Sequence, residues 1–117
     1  MHRDLRLRKN SDFQRVRQAG KSVANQLLVL VHAANAEGQS RFGFAVGKKL
    51  GGAVERNKIK RRLREQVRLH LRANRLRGGV DVIIIARPGA RGTDHNALTR
   101  ALDDLIRRAG LWQGEKG

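Results

Sequence analysis

The stretch Val80-Asp81-Val82-Ile83-Ile84-Ile85-Ala86 constrains the fold more than any other part of the chain. It is preceded by Gly78-Gly79 and closed by Arg87-Pro88-Gly89, so both ends are punctuated by turn residues. A β-branched apolar run of this length is too short for a buried helix and fits a strand buried on both faces. Such a strand needs neighbours on either side, which predicts a place near the centre of a sheet.

The flanking sequence supplies those neighbours and their covers. Ser11-Asp12-Phe13-Gln14 has the form of a capping box, which predicts a helix from Asp12 to Ala19 with Phe13 and Val16 on one face. Gly20 is expected to end it in a left-handed conformation. From Ser22 to Ala34 the chain is rich in Val and Leu. Turn residues Asn35 to Gly38 then lead into the alternation Phe42, Phe44, Val46, and the pattern predicts a β-hairpin.

After Gly47 a flexible basic loop, Lys48 to Ala53, opens a long helical pattern from about Val54 to Arg75. Beyond the Val80 strand, Thr93 is expected to cap a last helix whose Leu98, Ala101, Leu102, Leu105 and Ala109 share one face. Gly110 ends that helix, and Leu111 and Trp112 fold back onto it. The order helix, hairpin, helix, strand, helix predicts an α/β sandwich: a mixed sheet of about four strands with helices packed on it. A single domain is expected across residues 1–117, with 1–10 and 113–117 flexible.

Charge narrows the function. The chain carries 26 Lys and Arg against 10 Asp and Glu, a formal net charge of +16. A small domain this cationic repels itself unless a polyanion neutralises it, and nucleic acid is the leading candidate. There is no cysteine, so disulfides, thiolate nucleophiles and cysteine-bound zinc are excluded. The longest apolar runs, Leu27 to Val31 and Val82 to Ala86, fall far short of the roughly 20 residues that cross a bilayer. Met1 to Arg6 is basic with no apolar stretch behind it to act as a signal, so a cytoplasmic protein is expected.

In the long helix, Asn57, Lys60, Arg61, Arg64 and Arg68 recur at intervals of three and four and form one cationic ridge. Ile59, Leu63 and Val67 recur at intervals of four on a broadly opposite face, which must lie on the sheet. Stacking Lys60, Arg64 and Arg68 in one row costs about 0.2–0.5 kcal/mol per like-charge pair. A bound polyanion offsets that cost. Solvated helix faces usually mix signs, whereas only Glu55 and Glu65 interrupt this one. Arg forks two hydrogen bonds onto phosphate and Lys supplies a point charge, a mixture suited to an irregular RNA backbone.

The segment from Arg41 to Glu65, RFGFAVGKKLGGAVERNKIKRRLRE, strongly resembles the signature of bacterial ribonuclease P proteins. That family has a G-x-x-V strand core, a K-K-x-G-x-A-V loop and an R-N-x-x-K-R-x-x-R helix, all present in order. The likeness extends upstream to Phe13 and Gly20 and downstream to the last helix. It implies that Arg56, Asn57, Lys60, Arg61 and Arg64 contact a catalytic RNA, and Lys48, Lys49 and Arg68 extend the same basic surface. It further implies a cleft between the first helix and the sheet for the single-stranded 5′ leader of precursor tRNA, with Phe13, Arg17, Val31 and Phe44 as candidate lining. Stacking and core packing compete as readings of Phe13 and Phe44. Arg17 and Val31 stand where relatives often have aromatics, which implies a more electrostatic grip on the leader. A left-handed crossover between the Phe42 and Val80 strands is also implied, against the usual hand.

Rival readings fit less well. A nuclease in its own right needs clustered carboxylates or an acid/base pair. Asp4, Asp12, Asp81, Asp94, Asp103 and Asp104 are instead scattered, and His2, His32, His70 and His95 lack ligand spacing. No catalytic residue is therefore expected in the protein, and Mg²⁺ is expected to be bound mainly by the RNA. The glycines of Gly43 to Lys48 are spaced one short of a phosphate loop, with no Ser or Thr after the lysines. A general or ribosome-associated RNA-binding protein explains the charge but not the signature. Membrane docking of the basic helix would take Ile59, Leu63 and Val67 away from the core.

Overall fold

The computed structural model describes residues 6, 7 and 9–114, and the expected flexibility of residues 1–5, 8 and 115–117 lies outside the described residues. Three helices, α1 (Asn10–Ala19), α2 (Ala53–Arg72) and α3 (His95–Arg108), accompany four strands, β1 (Lys21–Ala24), β2 (Leu28–Ala34), β3 (Arg41–Ala45) and β4 (Val80–Ala86). The sheet runs β1-β2-β4-β3. As its composition requires, β4 is internal: it pairs antiparallel with all of β2 and parallel with β3. The mixed four-stranded sheet with packed helices is the expected fold.

The expected hairpin is corrected. The segment from Ser22 to Ala34 is not one strand, because Asn25 folds it into the hairpin β1–β2. The Asn25 side-chain oxygen accepts hydrogen bonds from the backbone N–H groups of Leu27 and Leu28. β2 and β3 flank β4 and do not pair with each other. A strand apolar on both faces must bury both edges as well, and that demand outweighs the proximity in sequence of β2 and β3.

Helix ends also differ from the pattern. α1 starts at Asn10 with Lys9 as its cap residue and no side-chain cap, so the Ser11–Gln14 box does not form. The Lys9 carbonyl accepts from the N–H groups of Asp12 and Phe13 in its place. Gly20 is extended (φ −84°), not left-handed. It is needed for close approach, since a Cβ there would lie 2.3 Å from the Val16 carbonyl oxygen. α2 stops at Arg72, where Asn74 enters the left-handed region at φ 57°. Asp94, not Thr93, caps α3 by accepting from the Ala97 N–H, and Thr93 bonds the Ala90 carbonyl.

Alternation along the strands gives the sheet two faces. Leu28, Leu30, Phe42, Val82 and Ile84 face Ile59, Leu63 and Val67 of α2 and Leu98, Leu102, Leu105 and Ile106 of α3 in the main core. Val31 and Ile83 face the other way, against Val16 of α1 and Leu7. Leu7 is buried, and its N–H donates to the Phe42 carbonyl, which joins this point of the N-terminal segment to the edge of β3. Each fully buried Leu or Ile contributes about 1.5–3 kcal/mol. His70, buried beneath α3, is held through Nε2 by Asp103 at 2.8 Å and meets the edge of Trp112. It is a packing residue.

Candidate nucleic-acid interface

With Ile59, Leu63, Val67 and His70 of α2 turned into the core, helical geometry leaves Asn57, Arg61, Arg64 and Arg68 exposed on the other side. Arg56 and Lys60 occupy the flank between and are partly buried. Arg68 pairs with Glu65 at 2.5 Å, while no ion pair involves Lys58, Lys60, Arg61, Arg62 or Arg64 among the described residues. The Arg56 Nε is buried and makes no hydrogen bond. Ahead of the helix, Lys48 and Lys49 are exposed on a short 3-10 turn anchored by buried Leu50. The loop is therefore more regular than its glycines suggest. Gly52 begins α2 without a side-chain cap, so the positive end of the helix dipole adds to the field of both lysines.

Beside this ridge, the outer edge of β3 forms a cleft of about 160 Å³ lined by Arg6, Leu7, Phe13, Phe42, Gly43, Phe44, Lys60 and Arg64. Its shape depends on Gly43, where a Cβ would fall 2.5 Å from Cζ of Phe13. The aromatic ring of α1 therefore lies directly on the backbone of the edge strand. Three apolar rings (Phe13, Phe42 and Phe44) and three cations (Arg6, Lys60 and Arg64) line it, a combination that can hold an unstacked base and its phosphate.

The four expected cleft residues are not brought together. Phe13 is half-buried at the cleft, and Arg17 is exposed one turn further along α1. Val31 is buried beneath α1 with Val16 and Ile83, so it packs the helix. Phe44 packs toward the α2 side of the sheet and meets Phe13 only across the strand edge. Sequence reasoning missed Arg6, Leu7 and Gly43 as lining, and also the half-buried Val29 and Ile85, which share the α1 face of the sheet. The strand parity fixed by Val31 and Ile83 carried the signal for the last two.

Acidic groups do not converge here. Among the described residues no three His, Asp or Glu side chains are placed to hold a metal ion. No described helix is long and apolar enough to cross a membrane.

A cationic helix beside an aromatic cleft on a mixed sheet defines an RNA-binding α/β protein. The Ribonuclease P family model matches residues 1–110. The chain is 37% identical over 108 residues to the ribonuclease P protein component of Clostridium kluyveri, covering 92% of this chain and 96% of that one. It is 43% identical over 111 residues to that of Brevibacillus brevis, covering 93% and 86%. The solved Staphylococcus aureus RNase P protein superposes with a TM-score of 0.88 at 37% identity, covering 95% of this chain and 100% of that one. The Thermotoga maritima RNase P protein gives 0.79 at 32%, covering 88% and 96%. The chain belongs to the ribonuclease P protein family.

Proposed function

We infer that this chain is the protein subunit of ribonuclease P. It binds the catalytic RNA and the 5′ leader of precursor tRNA and promotes endonucleolytic removal of that leader in the cytoplasm. The ridge of Asn57, Arg61, Arg64 and Arg68, with Lys48, Lys49, Arg56 and Lys60, is assigned to RNA. The edge cleft with Phe13 and Phe44, and Arg17 beside it, is assigned to the leader. Val31 serves the leader site only by supporting α1. The observation that carries this reading is the meeting of Phe13 and Phe44 with Lys60 and Arg64 in one cleft.

Hydrolysis is assigned to the RNA subunit with Mg²⁺. The protein's cleft is cationic and apolar, and its residues do not suit a cation that prefers hard oxygen ligands. The chain's own contribution is differential binding. Leader contacts exist only in the precursor, so they tighten substrate without retaining product. Neutralising RNA phosphates also favours the folded, metal-binding RNA.

The test is cleavage of precursor tRNA by bacterial ribonuclease P RNA at low Mg²⁺, with and without this protein. Strong protein-dependent 5′ maturation is expected, with little affinity gain on a leaderless substrate. Tight RNA binding without stimulation would move the assignment to a general RNA-binding protein.

A further inference from the structure

Asp81 has no exposed surface and lies on the α1 face of β4, opposite Arg41 in the parallel register. Four donors from three elements converge on its carboxylate. Oδ1 accepts from the Asn35 amide at 2.7 Å and from Arg41 Nε at 2.9 Å. Oδ2 accepts from a second Arg41 nitrogen at 2.8 Å and from Arg15 of α1. Arg41 also lies 3.8 Å from Asp12 of α1. Asp12, Arg41, Asp81 and Arg15 thus form a ring of alternating charges that leaves α1 at one residue and returns to it one turn later.

Burial alone would push the Asp81 carboxyl up. Hydrogen bonds from Arg41 and Asn35 and the charges of Arg41 and Arg15 outweigh it, holding the group below the ordinary carboxylate range. Arg41 and Asn35 already supply three donors, two of them from a bidentate guanidinium fork. The hydrogen bond from Arg15 is therefore surplus to keeping Asp81 buried and ionised. What it does fix is α1. That helix has ten residues, too few to be stable alone, and its only buried side chain is Val16. Phe13, which forms a wall of the cleft, is carried on this helix.

We propose that the Asp12–Arg41–Asp81–Arg15 ring sets the seat of α1 over the sheet, which makes Arg15 a positioning residue for leader recognition. The inference rests on assigning the Phe13 cleft to the leader. Arg15 acts through α1 on Phe13 and does not itself touch RNA.

The test compares wild-type, Arg15→Met and Arg15→Lys holoenzymes for affinity toward precursor tRNA with and without a leader, across several salt concentrations. Arg15→Met keeps the aliphatic stem and leaves Asp81 with its Arg41 and Asn35 partners, so the domain should fold. It should cost about 3- to 10-fold in affinity for the leader-bearing substrate, within the range of substitutions that act at a distance. Leaderless affinity, kcat and the salt slope should stay unchanged, and Arg15→Lys should restore most of the loss. A direct phosphate contact by Arg15 would instead show as a salt slope lowered by about 0.7 in Arg15→Met, and that result would overturn the proposal. So would an Arg15→Met enzyme that keeps the full leader gain. If wild type shows no leader gain at all, the leader assignment itself fails, a distinguishable outcome.

Discussion

Helices α2 and α3 pack side by side on one face of the sheet, yet their ends and outer surfaces are built differently. α3 satisfies its own groups: Asp94 caps the first turn, and Asp104 pairs with Arg107 at 2.7 Å and Arg108 at 3.5 Å near the last. α2 has the same kind of apolar stripe, but Gly52 leaves its start uncapped, and its outward cations, apart from Arg68, lack acidic partners among the described residues. The contrast separates a helix that serves stability from one that holds groups ready for an external anion.

The largest effect that tests this division comes from the core side. Leu102 of α3 is fully buried, and Leu102→Ala should cost about 2–5 kcal/mol in denaturant unfolding. Under conditions where the variant remains folded, its RNA affinity should equal that of wild type. A drop there would mean that α3 belongs to the interface.

On α2 the pattern should invert. Arg61→Ala and Arg64→Ala remove exposed, unpaired cations, so stability should move by no more than about 0.5 kcal/mol. Relief of the like-charge row works toward a gain. Affinity for ribonuclease P RNA should fall by about 1.5–3 kcal/mol for each charge-assisted hydrogen bond to phosphate that is removed, with a shallower salt slope. Unchanged affinity in both variants across salt would place the interface on another surface.

How much of this was legible in the sequence depended on whether a signal was local. The ridge and stripe of α2 follow from 3.6-residue periodicity, and β4 declared itself through an apolar run broken only by Asp81. Which strands flank β4 is decided by long-range pairing, and the strong turn signal at Asn35 to Gly38 pointed to the wrong hairpin while Asn25 made the right one. The cleft was half legible. Phe13 and Phe44 were found as residue types, but only the register shows that they approach the β3 edge from opposite faces. Gly43 as the seat of Phe13 has no local signature, because the requirement comes from a helix far back along the chain.

Acid should distinguish the two helices more gently. The Asn25 amide, with hydrogen bonds from Arg107 and Arg108 and the charge of Arg108, outweighs burial and holds the Asp104 carboxyl below its ordinary value. A depressed carboxylate stabilises above its unfolded value of about 3.9, and that contribution is lost as pH falls through the lower folded value. Melting curves of wild type and Asp104→Asn should therefore differ at neutral pH and converge below about pH 4. The Arg64→Ala curve should run parallel to wild type throughout, since no acid partners Arg64 among the described residues. Convergence of that curve as well would reveal a carboxylate supporting the ridge and weaken the contrast.

The smallest change addresses the contrast most directly. Gly52 has the extended backbone of a cap residue (φ −76°, ψ −178°), and a Cβ there would meet nothing within 4 Å. Gly52→Ser should stabilise the fold by a few tenths of a kcal/mol. Gly52→Asp should add about 0.3–1 kcal/mol more through the helix dipole. If α2 is left uncapped for RNA, the order in binding reverses: wild type binds tightest, Ser less, and Asp, which sets an anion beside Lys48 and Lys49, least. Two more stable variants that bind RNA like wild type would show that the bare helix start serves no ligand, leaving the outward ridge as the sole distinction between α2 and α3.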